Sequence, residues 1–108
     1  MNMREDWIAA LKTWATSNES IHELWLFGSR AKETARPDSD IDIALKMTPP
    51  SGKDNWALAN FVESFDDWKE QLRSAVDWPV SLVATGTGFE MEAEIRATGI
   101  CLWRREEV

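Results

Sequence analysis

Tyrosine is absent from the 108 residues, Cys101 is the lone cysteine and His22 the lone histidine. A single cysteine excludes an intrachain disulfide and any zinc site built on several thiolates. A single histidine at the start of a strand reads as structural or exposed. Positive charge is scarce: 12 Lys and Arg stand against 19 Asp and Glu, a formal charge of −7. Such a chain has no basic field to gather nucleic acid or anionic lipid, although metal ions can still bring a small phosphorylated ligand to it. No apolar run is long enough to cross a bilayer, and Met1-Asn2-Met3-Arg4-Glu5-Asp6 lacks the apolar stretch of a secretion signal. The expectation is a reduced, cytoplasmic protein without a membrane partner.

What is present argues for a packed globule. Hydrophobic residues make up 44%, among them seven Trp and four Phe, more than a disordered chain carries. The length fits one domain over residues 1–108. Trp7, Leu11 and Trp14 recur at helical spacing over about 3–17, with Asn2 and Glu5 as a capping box. Glu23 to Phe27 reads as a buried strand stopped by Gly28-Ser29, and 30–36 as one or two helical turns ended by Pro37. Asp40 to Leu45 alternates as a second strand, and 47–53 is a Pro/Gly loop.

Asp54 caps a long helix over roughly 55–76 whose buried side is Leu58, Phe61, Phe65, Trp68, Leu72 and Val76. Residues 79–84 form a third strand. Thr87 and Glu90 cap a short helix ending at Gly99, and 100–103 a fourth strand in which Cys101 is a small core residue. Arg104-Arg105 begins a solvated end, and Trp56 is the tryptophan to test at a partner surface. The fold class expected is α+β, a mixed sheet of about four strands covered by helices.

One segment carries chemistry: Gly28-Ser29, ten intervening residues, then Asp40-Ile41-Asp42. On a strand, Asp40 and Asp42 project from one face, roughly 6–7 Å apart along it. Two carboxylates so placed can hold one or two Mg²⁺ ions, whose remaining positions substrate phosphates fill. Asp38 adds a third nearby acid, and such crowding destabilises the protein unless cations bind. Glycine lets the backbone approach a phosphate, the short helix after it offers N–H groups, and Ser29, Arg30 and Lys32 can add donors and charge. Thr85-Gly86-Thr87-Gly88 lacks a lysine and is a turn rather than a phosphate loop.

Gly28-Ser29-Arg30-Ala31-Lys32 followed by Ser39-Asp40-Ile41-Asp42-Ile43-Ala44-Leu45 resembles the signature of the minimal nucleotidyltransferases, small members of the DNA polymerase beta-like superfamily. The closing Glu94 to Trp103 resembles that family's final helix, glycine and strand. The resemblance implies a nucleotidyltransferase fold and transfer of a nucleoside monophosphate from an NTP, ATP first, to a hydroxyl of a partner protein or a nucleic-acid end. It implies Asp40 and Asp42 as catalytic metal ligands for Mg²⁺ or Mn²⁺, and Gly28, Ser29, Arg30 and Ser39 as nucleotide-binding residues. It also implies an antitoxin-type pairing with a helical HEPN-type protein, in a homo- or hetero-oligomer. Without tyrosine in this chain, any tyrosine-directed transfer acts on another protein.

Two positions depart from the family pattern. The third carboxylate belongs on the next strand, where Val80-Ser81-Leu82 puts Ser81. A neutral hydroxyl is a poor substitute ligand and cannot take the acceptor's proton as a carboxylate can. The alternative function is therefore a catalytically weakened nucleotide-binding module acting by binding its partner. Neither Asp77, about 13 Å from Ser81 along a strand, nor Glu90, Glu92 or Glu94 replaces that acid unless the last helix faces the cleft. Glu33 stands where relatives often carry glycine.

Overall fold

The computed structural model describes residues 3–18, 20–47, 56–84 and 92–105, with the side chains of 56–61 and 92 set aside. Eight elements follow one another: α1 (Glu5–Ser17), β1 (Ile21–Phe27), α2 (Gly28–Ala31), β2 (Ile41–Met47), α3 (Trp56–Val76), β3 (Val80–Ala84), α4 (Glu92–Thr98) and β4 (Ile100–Arg104). The four strands form one mixed sheet in the order β3-β2-β1-β4. β1 runs antiparallel to both β2 and β4, whereas β2 and β3 are parallel. The parallel pair needs a crossover, and α3 supplies it.

Alternation along the strands sorts the sheet into two faces. Leu24 and Leu26 of β1, Ile41, Ile43, Leu45 and Met47 of β2, and Val80 and Leu82 of β3 meet the helical layer of α1 and α3. Trp7, Leu11 and Ala15 bury one side of α1, and Trp68, Leu72 and Val76 one side of α3, at the helical steps read from the sequence. Trp14 donates to Gln71 at 2.8 Å and meets Trp68 edge-on at 6.2 Å, tying the two helices. Leu11, Leu24 and Leu72 are fully buried, sites where truncation to alanine costs about 2–5 kcal/mol. On the opposite face Phe27 and Ala44 pack beneath Ile95 of α4, with Trp25 and Val83 alongside.

Several sequence expectations change. α1 has Arg4 rather than Asn2 at its N-cap, without a side-chain capping bond, and Asn2 lies outside the described residues. Arg105 is no solvated end. Its guanidinium donates to the carbonyls of Ala15, Asn18 and Ile21 at 2.9–3.1 Å, closing the C-terminus of α1, where carbonyls lack helical donors. Cys101 is half-buried on an edge strand rather than in the core, and burial pushes its thiol pKa up. Asp54, the loop at 48–53, the Thr87–Glu90 cap and the side chains of Trp56, Leu58 and Phe61 lie outside what the structure describes. Among the described residues no helix is long and apolar enough to cross a membrane.

Candidate functional site

The site sits at the end of β1, where the chain leaves the sheet. Phe27 is extended, and Gly28 turns at φ +72, a region open to glycine and strained for other residues. A Cβ on Gly28 would collide with the Oδ2 of Asp42, so the same glycine is required by the turn and by the acid. The register explains the contact: Phe27 pairs with Asp42 across the antiparallel ladder, placing the turn directly over that carboxylate. Ser29 follows Gly28 in the short α2, and its carbonyl accepts the amide of Thr34 at 2.9 Å. Glu33 closes the segment at φ 63, the left-handed conformation that suits the glycine relatives often carry.

Asp40 precedes β2 by one residue and is exposed, whereas Asp42 is half-buried within the strand. On the parallel neighbour, Ser81 pairs in register with Asp42, and its hydroxyl donates to Oδ2 of Asp40 at 3.4 Å. Burial raises the pKa of Asp42 above its ordinary 3.8. The charge of Asp40 raises it further, while hydrogen bonding by Ser81 and the positive charge of Arg30 pull the other way. The two acids and Ser81 are thus gathered as the sequence led us to expect, with a hydroxyl in the third place.

Other expected residues are placed differently. Asp38 lies exposed in a turn, and among the described residues no three His, Cys, Asp or Glu side chains group to hold a metal. Arg30 does not open toward the mouth of the turn: it is 6% exposed, and its guanidinium donates to the carbonyl of Ser39. The hydroxyl of Ser39 accepts the amide of Arg36 at 2.9 Å. Lys32 reaches Glu94 at 3.7 Å, so α4 comes beside the end of α2, and Glu94 there answers a lysine rather than joining the acids. A separate cleft among Trp14, Asn18, Trp68 and Gln71 opens on the helical side, away from the carboxylates.

Sequence reasoning missed Trp78, whose indole N–H also donates to the carbonyl of Ser39, at 2.8 Å. Its distance of 39 residues from Ser39 leaves no local signal; only the parallel pairing of β2 with β3 brings the two together. Chemically, Asp40, Asp42 and the Ser81 hydroxyl make an all-oxygen donor set with two charges. That set suits a hard divalent cation which shares its shell with phosphate oxygens.

Against known proteins, residues 9–108 match the family described as polymerase beta, nucleotidyltransferase. No curated protein matches the chain. In structure it is similar to a toxin-antitoxin solved with AMP-PNP, at 26% identity and a TM-score of 0.62, over 96% of this chain and 76% of that one. It is also similar to a mutant of the toxin-antitoxin MntA-HpeT, at 23% identity and a TM-score of 0.59, over 96% and 75% of the two chains, a likeness of fold. A family match over nearly the whole length, on a sheet that carries the glycine turn and both acids in one corner, means that the chain belongs to the polymerase beta nucleotidyltransferase family.

Proposed function

We propose that Gly28, Ser29, Asp40 and Asp42 bind a nucleoside triphosphate, ATP first among candidates, together with Mg²⁺ or Mn²⁺. The domain would then transfer the nucleoside monophosphate to a hydroxyl of a partner protein or a nucleic-acid end. The observation that carries this reading is the contact of Gly28 with Asp42, which sets a phosphate-accessible backbone against the acid pair. In the reaction the acceptor hydroxyl gives up its proton to solvent, its oxygen bonds to the α-phosphorus, the bond to the bridging oxygen breaks, and pyrophosphate leaves. The cation, when bound, neutralises the triphosphate and the charge that develops on the leaving oxygen. The chain's own part is positioning: the bare Gly28 admits the phosphates, Ser29 offers a hydroxyl, and Asp40 and Asp42 hold the donor oxygens on one side.

Ser81 favours a second reading. It hydrogen-bonds to Asp40 where the family pattern has a charged ligand, so the site can retain nucleotide while transfer is slowed. On that reading the domain is a catalytically weakened, nucleotide-binding antitoxin or interaction module that acts by binding a helical HEPN-type toxin. The similarity to a toxin-antitoxin solved with AMP-PNP supports both nucleotide binding and a toxin partner.

One experiment separates the two. The protein is incubated with each of four α-labelled NTPs, Mg²⁺ or Mn²⁺ and lysate of its source, beside an Asp40→Asn/Asp42→Asn control and a Ser81→Asp variant. Label on a macromolecule with wild type alone supports transfer and names base and acceptor together. Binding of nucleotide without label, with transfer appearing in Ser81→Asp, supports the binding module. If wild type and the double variant bind nucleotide equally, the site is wrongly assigned under either reading.

A further inference from the structure

Asp40 lies outside β2, in solvent, so the strand ladder does not itself hold it. Both peptide groups that flank it are nevertheless pinned. Ahead of it, the carbonyl oxygen of Ser39 accepts Arg30 Nε at 3.2 Å, Arg30 Nη2 at 2.7 Å and Trp78 Nε1 at 2.8 Å. Behind it, the amide of Ile41 donates to the carbonyl of Pro79 at 3.0 Å. Three donors on one carbonyl, two of them from a charged fork, make a stronger restraint than a ladder bond provides.

The fork is itself held. The guanidinium of Arg30 lies 5.0 Å from the ring centre of Trp7 and 6.0 Å from that of Trp78, and the two rings pack 5.6 Å apart. Asp77, at φ 52, turns the chain after α3 so that Trp78 comes back beneath Ser39. Removing a guanidinium from water is expensive unless its donors and charge are answered. Here aromatic faces and a carbonyl answer it, at the peptide immediately before an acid of the site.

We propose that Arg30, Trp78 and Trp7 are positioning residues for Asp40. They hold its peptide so that its carboxylate faces Asp42, an inference that rests on reading those two acids as the cation-binding pair. Contributions from α1, α2 and the α3–β3 turn thereby converge on one main-chain oxygen, and cation affinity depends on residues that touch no ligand. Preorganised donors bind a cation more tightly than donors that must be ordered on binding.

The test uses the whole chain in three single variants. Trp78→Phe keeps an aromatic ring beside Trp7 while removing the N–H and part of the indole, Arg30→Lys keeps the charge and loses the fork, and Trp103→Phe, the same change of ring on β4, is the control. Mn²⁺ alone, titrated calorimetrically, reads the acid pair without any transfer reaction. Trp78→Phe is expected to weaken Mn²⁺ binding about three- to tenfold, the change that one net hydrogen bond produces. Arg30→Lys weakens it at least as much, and Trp103→Phe leaves it unchanged. The amide ¹⁵N shift of Asp40, which reports on bonds accepted by the Ser39 carbonyl and needs no metal, is expected to move in the first two variants alone.

An unmoved Asp40 amide in both variants overturns the proposal. So does a moved amide with unchanged Mn²⁺ affinity, which leaves a support for the fold only. A wild type that binds no more Mn²⁺ than Asp40→Asn/Asp42→Asn overturns the underlying site reading instead, whatever the amide does.

Discussion

Single residues at this site are pulled by stability and by binding in opposite directions. Gly28 is needed twice, for its positive φ and for the room taken by Asp42. Gly28→Ala is expected to cost about 1–3 kcal/mol of stability, within the range of strained single substitutions, and to remove nucleotide binding; urea unfolding and nucleotide titration read the two. Asp42 works the other way. Its raised folded-state pKa means that its contribution to stability is full below the ordinary 3.8 and is lost as pH rises through the raised value. At neutral pH the ionised carboxylate, half-buried beside Asp40, opposes folding in the metal-free protein. Asp42→Asn should therefore raise the metal-free melting temperature by a few degrees while abolishing nucleotide binding, and a lowered melting temperature would contradict this account. The placement of Gly28-Ser29 at a turn and of Asp40 and Asp42 about the start of β2 was legible in the sequence, because glycine marks the end of a strand and alternation sorts side chains by face. The inward direction of Arg30 was not legible, since the same side chain reaches a phosphate or a carbonyl with equal chemistry.

At the scale of elements, β1, β2 and β4 are joined by one carboxylate as well as by their ladders. Glu23 is 8% exposed and stands opposite Lys46 on one side and Arg104 on the other. It meets Arg104 at 3.2 Å and Lys46 at 3.9 Å, and accepts the Trp25 indole N–H at 2.7 Å. Burial alone would raise its pKa, but the Trp25 hydrogen bond and the charges of Lys46 and Arg104 outweigh it and leave the carboxyl below its ordinary 4.5. A lowered folded-state pKa adds stability above the ordinary value that is lost as pH falls through the lowered one. Glu23→Gln should accordingly destabilise the protein at pH 7 and flatten the loss of stability on acidification below about pH 4.5; parallel unfolding curves at each pH would refute it. The order of all eight elements was readable from periodicity and turn residues; the strands end within two positions of expectation, whereas α2 spans Gly28–Ala31 rather than 30–36. Those ends are set by caps such as Arg105 on α1, which is supplied from 84 to 90 residues away and has no local signature.

For the whole molecule, ligand and fold are one equilibrium. A nucleotide with its cation that binds only the folded chain adds about 2.7 kcal/mol at a hundred times its dissociation constant. That corresponds to a rise of roughly 10 °C in melting temperature for a domain of this size. Asp40→Asn/Asp42→Asn should show no such rise, and a rise equal to that of wild type would place the nucleotide elsewhere. The sequence by itself determined the class of fold and the glycine turn with its acid pair, because alternation, helical spacing and turn chemistry act between near neighbours. It also placed Ser81 on the third strand, since the pattern of that strand is plain. Only the tertiary structure decided that Ser81 bonds to Asp40, that Arg30 faces inward, and that Trp78 joins it on the Ser39 carbonyl. These contacts depend on the parallel register of β2 with β3 and on the packing of α1 beneath them, which bring together residues that no local pattern relates.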